Sequence, residues 1–110
     1  MFRAAAEFSS YGYSQNCLAV LYNVGAGLEK NDLASLYWFD KAVDNGAADV
    51  AKKDRDGILN AYKTNLTPRE FYEEMMKLSG WCNIGSEAVP KDAAKAAYWR
   101  AIGESAATNC

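Results

Sequence analysis

Histidine is absent from the chain, which removes the usual general base near neutral pH and the commonest zinc ligand. Cysteine is scarce: Cys17, Cys82 and Cys110 make an odd, widely spaced set without a Cys-x-x-Cys pair. That spacing offers neither a redox dithiol motif nor a zinc knuckle. It leaves open one disulfide with a leftover thiol, such as Cys17–Cys82, or a wholly reduced chain. Charge of one sign is missing too. Twelve basic and 14 acidic residues give a net −2, so nothing draws the chain to nucleic acid or to an anionic membrane. No window approaches the roughly 18 consecutive apolar residues of a membrane span, and "MFRAAAEFSS" lacks the apolar centre of a signal peptide. A cytoplasmic protein without metal or cofactor is expected. Proline occurs only twice while half the residues are hydrophobic, so a packed core is expected rather than disorder.

What is present reads as helix. Alanine is frequent, and no useful period-two alternation occurs. At 110 residues the chain is one domain. From Ser14, the positions Cys17, Leu18, Leu21, Tyr22 and Gly25 recur at spacings of three and four, which marks a buried helix face. Gly25 and Gly27 end this helix, and Asn31 or Asp32 caps a second one that continues through Leu33, Leu36 and Tyr37 to Val43. "DNG" at 44–46 stops it, with Gly46 in the left-handed conformation. A third helix is predicted over about 48–62, with Asp49–Lys53 and Lys52–Asp56 as pairs four residues apart on its wet side. Gly57 weakens that prediction. In "LTPRE" at 66–70, Thr67 caps, Pro68 suits the first helical position and Glu70 completes a capping box. The helix that follows buries Phe71, Met75, Leu78 and Cys82, with Met76 beside them. Gly80 leaves open one long helix or a helix and a loop. A last helix, capped by Asp92, runs over about 93–105.

The chain also echoes itself. A shift of 61 residues lays Leu28 on Val89, Lys30 on Lys91, Asn31 on Asp92, Ser35 on Ala96 and Tyr37-Trp38 on Tyr98-Trp99. A shift of 37 lays Asn60 on Asn23 and Ile58 on Leu21, and Phe39, Ala42, Val43 and Asp44 on Phe2, Ala5, Ala6 and Glu7. A period near 37 suits helix hairpins that bury their faces against one another, with the chain starting inside the second helix of a hairpin.

"LAVLYNVGAGLEKNDLASLYWFDKAVDNG" resembles a Sel-1-like repeat, a relative of the tetratricopeptide repeat. The matching positions are Leu18, Ala19, Tyr22, Gly25, Gly27, Leu28, Trp38, Phe39, Lys41, Ala42, Val43 and Gly46. Asn31 stands where the family prefers aspartate, and Ser35 where it prefers alanine. Residues 14–46 carry the best match, 47–79 resemble a capping segment, and 80–106 look like a degraded copy with Ser86 and Ala88 in place of the glycines. The resemblance implies an all-α fold of antiparallel helix hairpins, about five to six helices, stacked in a right-handed tetratricopeptide-like superhelix. It implies a non-catalytic adaptor or scaffold that takes a protein or peptide partner on its concave face. Asn16, Asn23, Lys53 and Asn60 pair under the 37-residue shift (16 with 53, 23 with 60). Their amide and ammonium groups could clamp a peptide there, though such positions are equally those of an ordinary solvent-facing surface.

Chemical alternatives weigh less. G-x-G at 25–27 is not a dinucleotide loop, because position 30 is Lys30, the preceding segment is helical and no Gly-Lys-Ser/Thr follows. Glu70 with Glu73 or Glu74 could share a helix face, and Cys17 or Cys82 could supply a thiolate, so a small hydrolase is the alternative. A solvated helix face and inert buried thiols are the plainer readings. The recurring Tyr37, Trp38, Phe39, Tyr98 and Trp99 point to packing between helices. Tyr11 and Tyr13, in "SSYGYSQN", either anchor a partner or fold back over the first helix. Helical arrays usually need about three repeats to bury a continuous core, so a homodimer is expected, with Trp99 or Phe2 near the contact.

Overall fold

The computed structural model describes residues 12–27 and 29–108, the side chain of Thr108 excepted. Tyr11, Phe2, Leu28 and Cys110 therefore lie outside the described residues, as does the half-hairpin expected at the start. The described chain is all-helical, without a strand among the described residues. In order it runs through α1 (Gly12–Val24), α2 (Asp32–Ala42), a wide turn (Val43–Ala47), α3 (Ala48–Asn65), α4 (Pro68–Ile84) and α5 (Ala93–Thr108). Two compact units result, Met1–Leu59 and Asn60–Cys110.

In the first unit α1 packs on α2. Gly25, at φ 76°, closes α1 by donating its N–H to the carbonyl of Leu21 at 2.9 Å. Asn31 is the N-cap of α2, its side chain accepting from the Ala34 N–H at 3.1 Å. Leu18, Ala19 and Tyr22 of α1 and Leu33, Leu36, Trp38 and Phe39 of α2 are all buried. Ser35 is fully buried there, and its hydroxyl donates to the carbonyl of Ala19 at 2.8 Å. A buried hydroxyl needs such a partner, and the Ala19 carbonyl supplies it. Gly12 is required by close packing, because a Cβ on it would lie 2.7 Å from the Ala42 carbonyl oxygen and 2.8 Å from that of Asn45. The partners Gly12–Ala42, Ala19–Ser35 and Tyr22–Asn31 run in opposite directions along the two helices, so the pair is an antiparallel hairpin. Gly46, at φ 97°, breaks the helix as expected, with Asn45 beside it also non-helical. The Asn45 amide donates to the buried Gln15 at 2.8 Å and pins this turn to α1.

The second unit pairs α4 with α5. The capping box forms as read from "LTPRE": Thr67 Oγ1 accepts from the Glu70 N–H, and Glu70 accepts from the Thr67 N–H. Phe71, Met75, Leu78 and Cys82 are buried. Gly80 does not interrupt α4, and Gly57 likewise sits within an unbroken α3. In α4, packing against α5 offsets the roughly 1 kcal/mol that glycine costs a helix. Asp92 caps α5 through Oδ1 and the Lys95 N–H at 3.1 Å.

The two hairpins share their internal devices, with one correction to the register. Gly85, not Ser86, carries the positive φ (79°) that matches Gly25, and it donates to the Trp81 carbonyl as Gly25 does to Leu21. The first helices therefore correspond at a shift of 60 and the second helices at 61, the second loop being one residue longer. The bond from the Asn31 N–H to the Tyr22 carbonyl (2.9 Å) recurs from Asp92 to Cys82 (2.7 Å). The serine bond recurs with its direction reversed, Ser79 on the first helix donating to Ala96 on the second at 2.7 Å. Tyr37 meets Trp38 edge to face at 4.9 Å, and Tyr98 meets Trp99 so at 4.8 Å.

Two packing expectations are overturned. Cys17 is exposed, not part of the buried stripe; Leu18 and Tyr22 are buried as expected, and Gln15 and Ala19 join them in place of Cys17 and Leu21. Trp99 is 0% exposed and so cannot stand at a surface contact between copies. Cys17 and Cys82 are both free thiols.

Candidate functional site

Helix α1 turns one face into the hairpin and leaves another uncovered. On the open face Tyr13 and Val20 are each 39% exposed and Val24 is 61% exposed, with the exposed Cys17 between them. The spacing 13–17–20–24 is that of side chains stacked along one side of a helix. Every side chain of α1 is uncharged, so this stripe is apolar at its centre and flanked by Asn16 and Asn23.

Tyr13 is fixed from the side. Its hydroxyl donates to the Asp49 carboxylate on the first turn of α3, at 3.0 and 3.1 Å to the two oxygens. Asp49 thus serves Tyr13, and Asp56 pairs with Arg55 at 3.1 Å, where pairs with Lys53 and Lys52 were expected. The position of α3 in the first unit is held by a second polar link. Arg55 Nη1 meets Asp40 Oδ1 at 3.0 Å, with the Asp40 side chain 2% exposed and that of Arg55 17%. Burial works against the Arg55 charge, but the hydrogen bonds to Asp56 and Asp40 and their negative charge outweigh it, raising its pKa above the ordinary value.

The predicted partner-binding residues divide. Tyr13, Asn16 and Asn23 lie on α1, the first exposed and the two asparagines half-buried. Asn16 Oδ1 is enclosed and accepts no hydrogen bond. Lys53 and Asn60 are both exposed on α3, but Asn60 belongs to the second unit. Tyr11 lies outside the described residues. Sequence reasoning missed Cys17, Val20 and Val24 as an open stripe. The 4-3-4 spacing was there to be read, but Cys17 was assigned to the neighbouring buried face.

The carboxylates of the hydrolase alternative sit in the second unit. Glu70 is engaged in the α4 cap. Glu73 lines a shallow depression of about 410 Å³ together with Pro68, Arg69, Tyr72 and Ala107. Among the described residues, no group of three or more Cys, Asp or Glu side chains is arranged to hold a metal ion, and no helix is long and apolar enough to cross a membrane. No family model matches the chain, and neither a curated protein nor a solved structure does.

Proposed function

We propose that the chain is a non-catalytic protein–protein interaction module, an adaptor or scaffold of Sel-1-like, tetratricopeptide-like helix hairpins. In this reading the hairpins stack into a right-handed superhelix of about five to six helices and take a protein or peptide partner on the open face of their first helices. The observation that carries the reading is the uncharged α1 face, where Tyr13, Cys17, Val20 and Val24 stand exposed along one line. Apolar side chains exposed in a row mark a contact surface more often than scattered ones do. Tyr13, whose hydroxyl is tied to Asp49, is the kind of aromatic anchor that dominates interface energies. The recurrence of cap, glycine and tryptophan devices in both hairpins supports the repeat reading.

The test is retention of protein partners by the immobilised chain, compared with its Val20→Glu and Asn23→Ala variants. Val20→Glu is expected to lower retention of specific partners at least tenfold, the effect of about 1.4 kcal/mol. Equal retention by wild type and Val20→Glu would show that the α1 face is not the contact surface.

A further inference from the structure

We infer that the partner of the α1 stripe is a second copy of this chain, the two α1 helices pairing antiparallel. This rests on the interaction reading above and names its occupant. The gaps between Tyr13, Cys17, Val20 and Val24 are four, three and four, a sequence that reads the same in both directions. A two-fold axis between Cys17 and Val20 therefore sets Tyr13 of each copy against Val24 of the other, and Cys17 against Val20. Such self-complementarity is what a two-fold contact requires. The seam runs from Tyr13 to Val24, twelve residues and eleven rises of 1.5 Å, about 16 Å of helix, long enough for two layers of knobs into holes.

Charge suits the same occupant. No side chain of α1 is ionised, and the antiparallel pairing sets the Asp49 carboxylates beside the two Tyr13 rings at opposite ends of the seam, so two copies meet with little like-charge repulsion. The net charge of −2 adds little long-range repulsion. The matching positions of α4, at the 60-residue shift, are Glu73, Lys77, Gly80 and Ile84, so the second hairpin lacks an apolar seam of this kind. Tyr13 is already held by Asp49, which lowers the ordering cost of binding.

Area sets the strength. Four partly exposed side chains fall well short of the roughly 800 Å² per partner of a standard stable interface. The expected dimer is weak, with a Kd on the order of 100 μM.

Sedimentation equilibrium of the full chain in reductant, from about 10 μM to about 1 mM, tests the pairing across the expected Kd. The weight-average mass should rise toward twice the monomer, and Val20→Glu, checked for unchanged circular dichroism, should raise the Kd at least tenfold; Val24→Glu serves if the first variant fails to fold. A monomer throughout, or a dimer indifferent to both folded variants, overturns the inference. Register is read by thiol chemistry in a Cys110→Ser background. After removal of the reductant, mixing that chain with one also carrying Cys17→Ser and Val20→Cys in a buffer with oxidised glutathione, which accepts the two electrons, should give the mixed disulfide at least tenfold faster than either chain links to itself. Faster self-linking through Cys17 would mean a parallel pair and overturn the antiparallel arrangement. The two readings fail separately. A strictly monomeric chain whose Val20→Glu variant still loses partner proteins refutes self-association and leaves the interaction module standing.

Discussion

Replacing Arg55 with methionine asks how firmly α3 is held in the first unit. Methionine keeps most of the stem and removes the guanidinium, so the Asp40 carboxylate, buried to 1% exposure, loses a charge-assisted bond of 3.0 Å. Removing one member of a buried pair typically costs about 3–5 kcal/mol. Arg55 still touches solvent, and Asp40 makes a further interaction, so the expected loss sits below that range, at about 2 kcal/mol. For a chain of this size that corresponds to a fall in Tm of roughly 10 °C. Urea and thermal unfolding followed by circular dichroism and tryptophan fluorescence measure it, with coincident transitions as the check on two-state behaviour. The pH dependence has a definite sign. A cation whose pKa is raised by folding contributes stability below its unfolded value and loses it only as pH rises through the folded one. The guanidinium is strongly basic to begin with and folding raises its pKa further, so its contribution is constant between about pH 6 and 9. Adding Asp40→Asn to Arg55→Met should recover part of the loss, because no carboxylate is then left buried without its cation. A loss under about 0.5 kcal/mol, the worth of an ordinary surface pair, would refute the claim that this pair fixes α3.

Other outcomes follow from the close contacts. Gly103→Ala places a Cβ 2.8 Å from Met75 Cβ in the α4–α5 interface, and overpacking of this kind should cost about 1–3 kcal/mol by urea unfolding. Gly25→Ala and Gly85→Ala should each cost about 1–2 kcal/mol, because both positions hold positive φ near 76–79°; a neutral Gly85→Ala would undo the assignment of Gly85 as the counterpart of Gly25.

Cap chemistry was legible because it is local. Asn31, Thr67 with Pro68 and Glu70, Asp92 and the left-handed Gly46 each act within a few residues of themselves, and each does so in the structure. The interior of α1 was less legible. Neighbouring residues stand about 100° apart on a helix, so a predicted face holding both Cys17 and Leu18 straddles two stripes, and the structure buries Leu18 and Tyr22 while leaving Cys17 open. Periodicity gives the spacing of a stripe, but the partner helix chooses which of two adjacent stripes it covers.

The sequence by itself determined that the described chain is helical, which residues cap its helices, and that two segments echo one pattern. Those properties depend on dihedral preferences and hydrogen bonds within a turn or two. Only the tertiary structure decided that Ser35 and Ser79 bond across opposite directions of the same crossing, that Gly85 takes the role expected at Ser86, and that Trp99 is enclosed while Cys17 is exposed. Each of these depends on which surface a distant helix occupies, and burial there is set by packing between elements rather than by the residue's neighbours in the chain.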